Sequence, residues 1–243
     1  MRFPKPLTWR YMPLYEKIAY YTSTLDERYS PYVDKLTAKS IVASMTDDVC
    51  VAPVVRVLTG PDDVHESDMN PLHIVKSTHG SGWNTGLTTV EEVREKLHAW
   101  NRPYDGAVAE KQYRYITPRF FIEEKVEDAI VGSTDAAIVY MFRCIHGNPV
   151  TIGVKQGKLQ NSYDMSWKLL KSAQITIPQP SQPLLDRMIT AARCLSAPFE
   201  FVRIDFYIAT GERIYFSEFT FSPAGGNRIF PMPIEKELGR LWH

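Results

Sequence analysis

The sequence predicts an α+β fold, from three observations. Two stretches, "AAIVYMFRCIHGNPVTIGV" and "FEFVRIDFYIATGERIYFSEFTF", carry strand-like apolar patterns on both sides of a Gly-containing turn, as antiparallel hairpins do. Two others, "TTVEEVREKLHAW" and "PLLDRMITAARCLS", place apolar residues at helical intervals. Hairpins and helices in this mixture lack the regular strand-helix alternation of a doubly wound parallel sheet.

Residues 1–69 read as irregular and partly helical. Within "DKLTAKSIVASM", Asp34 caps a helix that holds Leu36, Ile41 and Met45 near one face. "CVAPVVRVL" reads as a strand, and "GPDDVHESDMNP", rich in charge with Gly and Pro, as a loop that sets a boundary near residue 70. "LHIVKS" is a buried strand that runs into the loop "THGSGWNTG". Thr89 followed by Glu92 then has capping-box spacing at the start of a helix with Val90, Val93, Leu97 and Trp100 on one side. The order here is strand, Gly-rich loop, helix.

"RFFIEEKV" is strand-like and ends in a cluster of acids. The first hairpin turns at Gly147-Asn148. In the helix that follows, Pro183 suits the first turn, and Leu184, Leu185, Met188, Ile189, Ala192 and Leu195 form a broad apolar face. The second hairpin turns at "ATGE". Arg203 and Asp205 share a face of its first strand, and Glu218 and Thr220 share a face of its second.

A chain of 243 residues, 44% hydrophobic, can bury a core as one domain in two lobes or as two small domains. With 28 basic and 28 acidic residues its formal charge is zero, so no whole-chain field draws it to nucleic acid or an anionic membrane. Cys50, Cys144 and Cys194 lie far apart without a CxxC pair, which disfavours a disulfide framework and a cysteine zinc site. A reducing cytoplasmic setting is expected. The N-terminal stretch lacks the apolar core of a signal peptide, and no run reaches the ~18 apolar residues of a membrane helix. The histidines form no metal-ligand spacing, and no G-x-S-x-G elbow is present.

Three groupings could carry chemistry. Gly80, Gly82 and Gly86 let backbone N–H groups approach an anion, with Lys76 as a point charge, although an ordinary glycine turn reads the same way. The lysine precedes the glycines, so the loop is neither a P-loop nor a dinucleotide fingerprint. Asp205 and Glu218, on adjacent strands, would repel unless a cation such as Mg²⁺ lies between them; a solvated strand face is the alternative. "FIEEKVED" is either a solvated strand end or backbone presented to a base edge beside a carboxylate for a ribose.

Together, "KSTHGSGWN", "RFFIEEKVED", "YDMSW", "FVRIDFY" and "IYFSEFTFSPAGG" resemble the TupA-like ATP-grasp family, named for teichuronopeptide biosynthesis, from about Asp34 to the C-terminus. The resemblance implies an ATP-grasp fold, in which two α+β lobes clasp ATP, here with a partly helical N-terminal segment. It divides the chain into residues 1–69 packed on the core, 70–128 as the small lobe and 129–243 as the large lobe.

It further implies that Lys76 binds phosphate and that His79, Gly80, Ser81, Gly82 and Trp83 form a flexible loop closing over it. Glu124, Lys125 and Val126 match the adenine-contacting segment, with Glu127 a candidate for ribose. Asp205, Glu218 and Thr220 match the Mg²⁺ positions, where Mn²⁺ is an alternative ion and Thr220 stands in the place of a common asparagine. Arg203 faces the γ-phosphate or an acyl phosphate. Asp164 and Trp167 match a D-x-x-W pattern to which no role attaches. "VYMF", Val139 to Phe142, departs from the frequent "DYKF", leaving Arg143 as the nearest charge.

The implied chemistry is ATP- and Mg²⁺-dependent ligation of a carboxylate to an amine through an acyl phosphate. The acceptor would be a small molecule or glycan bearing a carboxylate, such as a uronic acid of a cell-surface polymer. The same ATP site in a kinase acting on a hydroxyl, or in a non-catalytic nucleotide-binding protein, is the competing reading.

Overall fold

The computed structural model describes residues 1–106, 108–134, 137–173 and 175–243; Ala136, which opens the first hairpin segment read from sequence, lies outside them. Three helices come first: α1 (Leu14–Ser23), α2 (Ser30–Val33) and α3 (Lys35–Met45). Asp34 caps α3 as expected, its Oδ1 accepting from the N–H groups of Leu36 and Thr37 at 3.0 and 2.9 Å. The buried face of α3 differs from the expected one. Ala38 and Val42 are buried, while Leu36, Ile41 and Met45 are only partly covered. The rotation turns Lys35 and Lys39, one turn apart, toward the space between the two sheets.

The apolar run from Cys50 to Leu58 is two strands rather than one. β1 (Cys50–Val51) joins the edge of a large sheet, and β2 (Val54–Leu58) joins a small one. Pro53 lies at the break: it has no N–H for a ladder and restricts the residue before it, so pairing stops and resumes elsewhere.

The small sheet has the order β2-β5-β3-β4, all antiparallel, with β3 (His73–Ser77), β4 (Asn84–Gly86) and β5 (Phe120–Glu124). β4 was not anticipated: three residues are too few to show a period. α4 (Val90–Trp100) covers one face. Thr89 Oγ1 accepts from the Glu92 N–H at 3.2 Å. Val93 and Leu97 pack with Leu58, Val75, Phe120 and Ile122. Burial of each such side chain contributes about 1.5–3 kcal/mol.

The large sheet runs β1-β11-β10-β6-β7-β8-β9. Its members are β6 (Val139–Ile145), β7 (Asn148–Gln156), β8 (Leu159–Tyr163), β9 (Leu169–Lys171), β10 (Phe201–Ala209) and β11 (Arg213–Thr220). All pair antiparallel except β1 with β11. The β6-β7 turn falls one residue earlier than expected, at His146 and Gly147, whose φ angles are 50° and 76°. Positive φ at both positions suits the twist of a two-residue hairpin.

α5 (Gln182–Ser196) buries Leu184, Leu185, Met188 and Leu195 in the larger core. α6 (Met232–Leu241), which the sequence reading did not identify, lies against α1. Trp242 after it is fully buried, stacked on Phe201 at 5.0 Å and edge-on to Trp9 at 5.0 Å. The other face of the large sheet looks toward the small sheet across a cleft.

Candidate functional site

The β10-β11 hairpin brings the two predicted carboxylates together by a local irregularity. From the turn the ladder is regular to Phe206↔Phe216; the next pair is Asp205↔Glu218, with Ser217 as the extra residue of a bulge. The following pair on the same face is Arg203↔Thr220. Arg203 Nε and Nη2 donate to Asp205 Oδ1 and Oδ2 at 2.7 and 2.6 Å, and Nη2 also donates to Glu218 Oε1 at 2.9 Å. Thr220 Oγ1 donates to the same Glu218 oxygen at 3.2 Å.

Asp205 is nearly fully buried. Burial, opposed by Arg203 and reinforced by Glu218, pushes its carboxyl up to about 6. Two carboxylates and a hydroxyl are hard oxygen donors that suit Mg²⁺, which completes its octahedron with phosphates and water. Among the described residues no group of three or more His, Cys, Asp or Glu gathers to hold a metal ion.

Across the cleft, Lys76 of β3 forms an ion pair with Glu123 Oε1, and Lys39 Nζ lies 2.9 Å from Glu123 Oε2. Burial works against the Lys76 ammonium, but Glu123, Tyr207 and Glu218 outweigh it and leave its pKa raised. Lys35 Nζ donates to Gly80 O at 2.8 Å. Its ammonium is pushed down to about 8 by burial and by Lys76, against the pull of Glu218, Asp34 and Glu123. Lys35 and Lys39 were missed in the sequence. The available signal was two lysines spaced i, i+4 on the helix that Asp34 caps.

The glycine loop has an anchored half and an open tip. Thr78, His79 and Gly80 are buried, whereas Ser81 and Gly82 are exposed. His79 Nδ1 is 2.6 Å from Ser77 Oγ and Nε2 is 2.9 Å from the Arg102 carbonyl, so Nε2 carries the proton and both ring nitrogens are engaged. Trp83 stacks on Trp100 at 6.1 Å and meets Tyr104 edge-on at 5.1 Å. Of the five predicted loop residues, Ser81 and Gly82 line the cleft; His79 is tied to Ser77 and Arg102, and Trp83 packs on Trp100 and Tyr104.

Two connected recesses make up the cleft. One, about 110 Å³, is lined by Ile74, Glu124, Lys125, Val126, Tyr207 and Phe216 among others. The second, about 420 Å³, unites Lys35, Lys76, Ser81, Gly82, Arg203, Asp205 and Glu218. Both share Lys35, Lys76, Tyr207 and Ser217. In the segment between the sheets, the Glu124 and Lys125 N–H groups bond to Pro53 O and Leu72 O. The Val126 N–H has no acceptor among the described residues. Glu127 is exposed and lines a different recess, with Pro53, Arg213 and Tyr215.

The D-x-x-W pair forms a turn. Asp164 Oδ1 accepts from the N–H groups of Ser166 and Lys168, both at 2.9 Å, and Trp167 stacks on Tyr163 at 4.5 Å.

Two sheets facing across a cleft, with a lysine and glycine loop on one side and an acidic hairpin on the other, define the ATP-grasp class. The chain belongs to the TupA-like ATP-grasp family, whose sequence pattern matches residues 14–243. Among solved structures it is similar to a biotin carboxylase–β-γ-ATP complex from Campylobacter jejuni (TM-score 0.52, 13% identity, 88% of this chain and 47% of that one). It is also similar to an L-amino acid ligase from Bacillus licheniformis (0.50, 11%, 82% and 43%) and to D-alanyl-alanine synthetase A from Vibrio cholerae (0.48, 15%, 88% and 61%). The chain thus spans about half the length of the structures it matches. No curated protein matches it by sequence. No helix among the described residues is long and apolar enough to cross a membrane.

Proposed function

We propose that the protein is an ATP- and Mg²⁺-dependent ligase that joins a carboxylate to an amine. The observation that carries this reading is the convergence of Lys76, Arg203, Asp205 and Glu218 with the loop tip on one 420 Å³ cavity, continuous with a recess beside Val126. Adenine would lie in the smaller recess, with the Val126 N–H toward its edge and Glu124 and Lys125 beside it. Glu127 does not line this recess but the adjoining one that shares Glu124, Lys125 and Val126, so a ribose contact there requires the segment to turn. Lys76, Lys39 and Lys35 would hold phosphates.

Asp205 and Glu218 would hold Mg²⁺, or Mn²⁺, with Thr220 orienting Glu218; the ion supplies charge neutralisation at the transferred phosphoryl group. Arg203 adds a fixed cation at the same place. An acid's carboxylate oxygen attacks the γ-phosphorus and ADP leaves. The amine then attacks the acyl carbon, phosphate departs, and the amine's proton passes to solvent. This chemistry needs positioning and charge more than a protein nucleophile. A closed loop at Ser81 and Gly82 would keep water from the acyl phosphate. We take the small lobe as the β2-β5-β3-β4 sheet with α4, the large lobe as the β1-to-β9 sheet, and the setting as cytoplasmic. An amino acid joined to a uronic acid or another acid of a cell-surface polymer is the acceptor class that the family's name suggests.

ADP release measured with a matrix of acids and amines tests the reading. Release should require one of each. Release with a hydroxyl compound alone would make the protein a kinase, and none with any pair would make it a binding protein.

A further inference from the structure

Two cations on the cleft face have no part in the proposed reaction: Lys155, which lines the large cavity, and Arg143, which is buried. Arg143 is 2% exposed, and its Nε and Nη1 have no hydrogen-bond partner among the described residues. The carboxylates that its charge feels are Asp205 and Glu235. Both are engaged elsewhere: Asp205 by Arg203, and Glu235 by the N–H groups of Tyr15, Ile229 and Phe230. Burial and the adjacent Arg203 push the guanidinium down to about 10. The guanidinium lies over the Phe230 ring, with Cζ 5.4 Å from its centroid, but a ring face does not replace an anion: a buried cation without one is costly, and a guanidinium keeps its proton, so an external anion suits it.

Register places this group. Arg143 pairs with Arg203 on one side and with Thr151 on the other, and the buried Thr151 hydroxyl has no partner among the described residues. The neighbouring row is Asp205, Met141 and Gly153. Gly153 lets its neighbours close in: a Cβ there would meet Met141 Cε at 2.9 Å, Gln160 Nε2 at 3.0 Å and Arg143 Nη1 at 3.5 Å, so those side chains fill the space beside it. Met141 and Gln160 line the 420 Å³ cavity, while Arg143 and Thr151, in the adjoining row, do not. Met141 and Gln160 are flexible side chains able to move aside.

We propose that Arg143 and Thr151 form an acceptor subsite for a second carboxylate, so that the acid activated in this cleft is a diacid. This rests on the ligase reading of the same cleft. The nucleotide end has its own cations in Lys76, Lys35 and Arg203, and Arg143 lies past Arg203 on the adjoining strand, where the acceptor must approach. The guanidinium matches a carboxylate, and its row position puts the second acid group beside the one facing Arg203.

The test measures binding of succinate, glutarate and adipate to the full chain by calorimetry. Each is compared with the monoacid of equal length, with inorganic phosphate as a further probe. At least one diacid should bind roughly tenfold or more tightly than its monoacid. Arg143→Met should abolish that preference, and Arg143→Lys should keep part of it. Because the unbound guanidinium has the Phe230 ring beside it but no anion, Arg143→Met should unfold at no lower a temperature than the native chain, and only the native chain should gain thermal stability from the diacid. Equal binding of diacids and monoacids, an unchanged preference in Arg143→Met, or phosphate binding as well as the best diacid would overturn the subsite. AMP-PNP with Mg²⁺, titrated into the same samples, reports separately on the ligase reading and should bind both forms alike.

Discussion

At the scale of single residues, the site is a balance of buried charges. Glu123 holds Lys39 and Lys76, and Arg203 holds Asp205 and Glu218, so two clusters face each other with their charges largely matched. Lys35 differs, because its ammonium donates to the Gly80 carbonyl and not to a carboxylate. With its pKa lowered to about 8 from an ordinary ~10.4, it is charged below that value and neutral above it. Affinity for a nucleotide analogue should therefore fall as pH rises through about 8, and Lys35→Met should flatten that step. Between pH ~8 and ~10.4 the folded chain has released a proton that the unfolded chain keeps, so the ligand-free protein should gain stability as pH rises. Calorimetric titration across pH and thermal unfolding across the same window check both signs. Lys76 was legible because it precedes a glycine-rich loop, and Asp205 and Glu218 because alternation puts them on faces of adjacent hairpin strands. Lys35 and Lys39 were not, since a lysine on a helix face usually meets water and only the packing of α3 against the sheet shows otherwise.

At the scale of elements, two local devices set the site. The bulge at Ser217 makes Glu218 the partner of Asp205, whereas a regular ladder from the same turn would pair Asp205 with Ser217. Sequence alternation alone found both carboxylates but could not show the extra residue that opposes them. The second device is Gly80, whose φ is 82° and where a Cβ would lie 2.8 Å from the Trp83 ring. Gly82 also has a positive φ, 72°, but open space around it. Gly80→Ala should cost about 2 kcal/mol and Gly82→Ala about 1 kcal/mol, read from urea unfolding midpoints. The loop was legible as glycine-rich. Its division into an anchored half and an exposed tip was not, because that depends on Lys35, Arg102 and Trp100 reaching it from distant segments.

At the scale of the whole molecule, the cleft exists because Pro53 sends one apolar run into two sheets and the segment after β5 carries the chain back. The α+β class was legible from the hairpins and helices, and the order of motifs carried the family. The partition of strands between sheets was not, since β1, β4 and β9 are too short for periodicity to register. The C-terminal helix escaped notice for a related reason: its role is to cover α1 and seat Trp242 among Phe3, Trp9, Tyr21 and Phe201, which is a tertiary fact. Trp242→Ala should lose about 3–5 kcal/mol of stability in denaturant unfolding, with nucleotide affinity little changed in the folded fraction.

The claim on which the account turns is that Asp205 and Glu218 hold the metal of a nucleotide bound between the sheets. Calorimetric titration of AMP-PNP with Mg²⁺ into the native chain, repeated with chelator and with Asp205→Asn and Glu218→Gln, tests it most directly. Saturable binding should weaken at least roughly tenfold on chelation and in each variant, while circular dichroism shows the variants folded. Nucleotide binding of unchanged strength in the chelated protein and in both variants would contradict it.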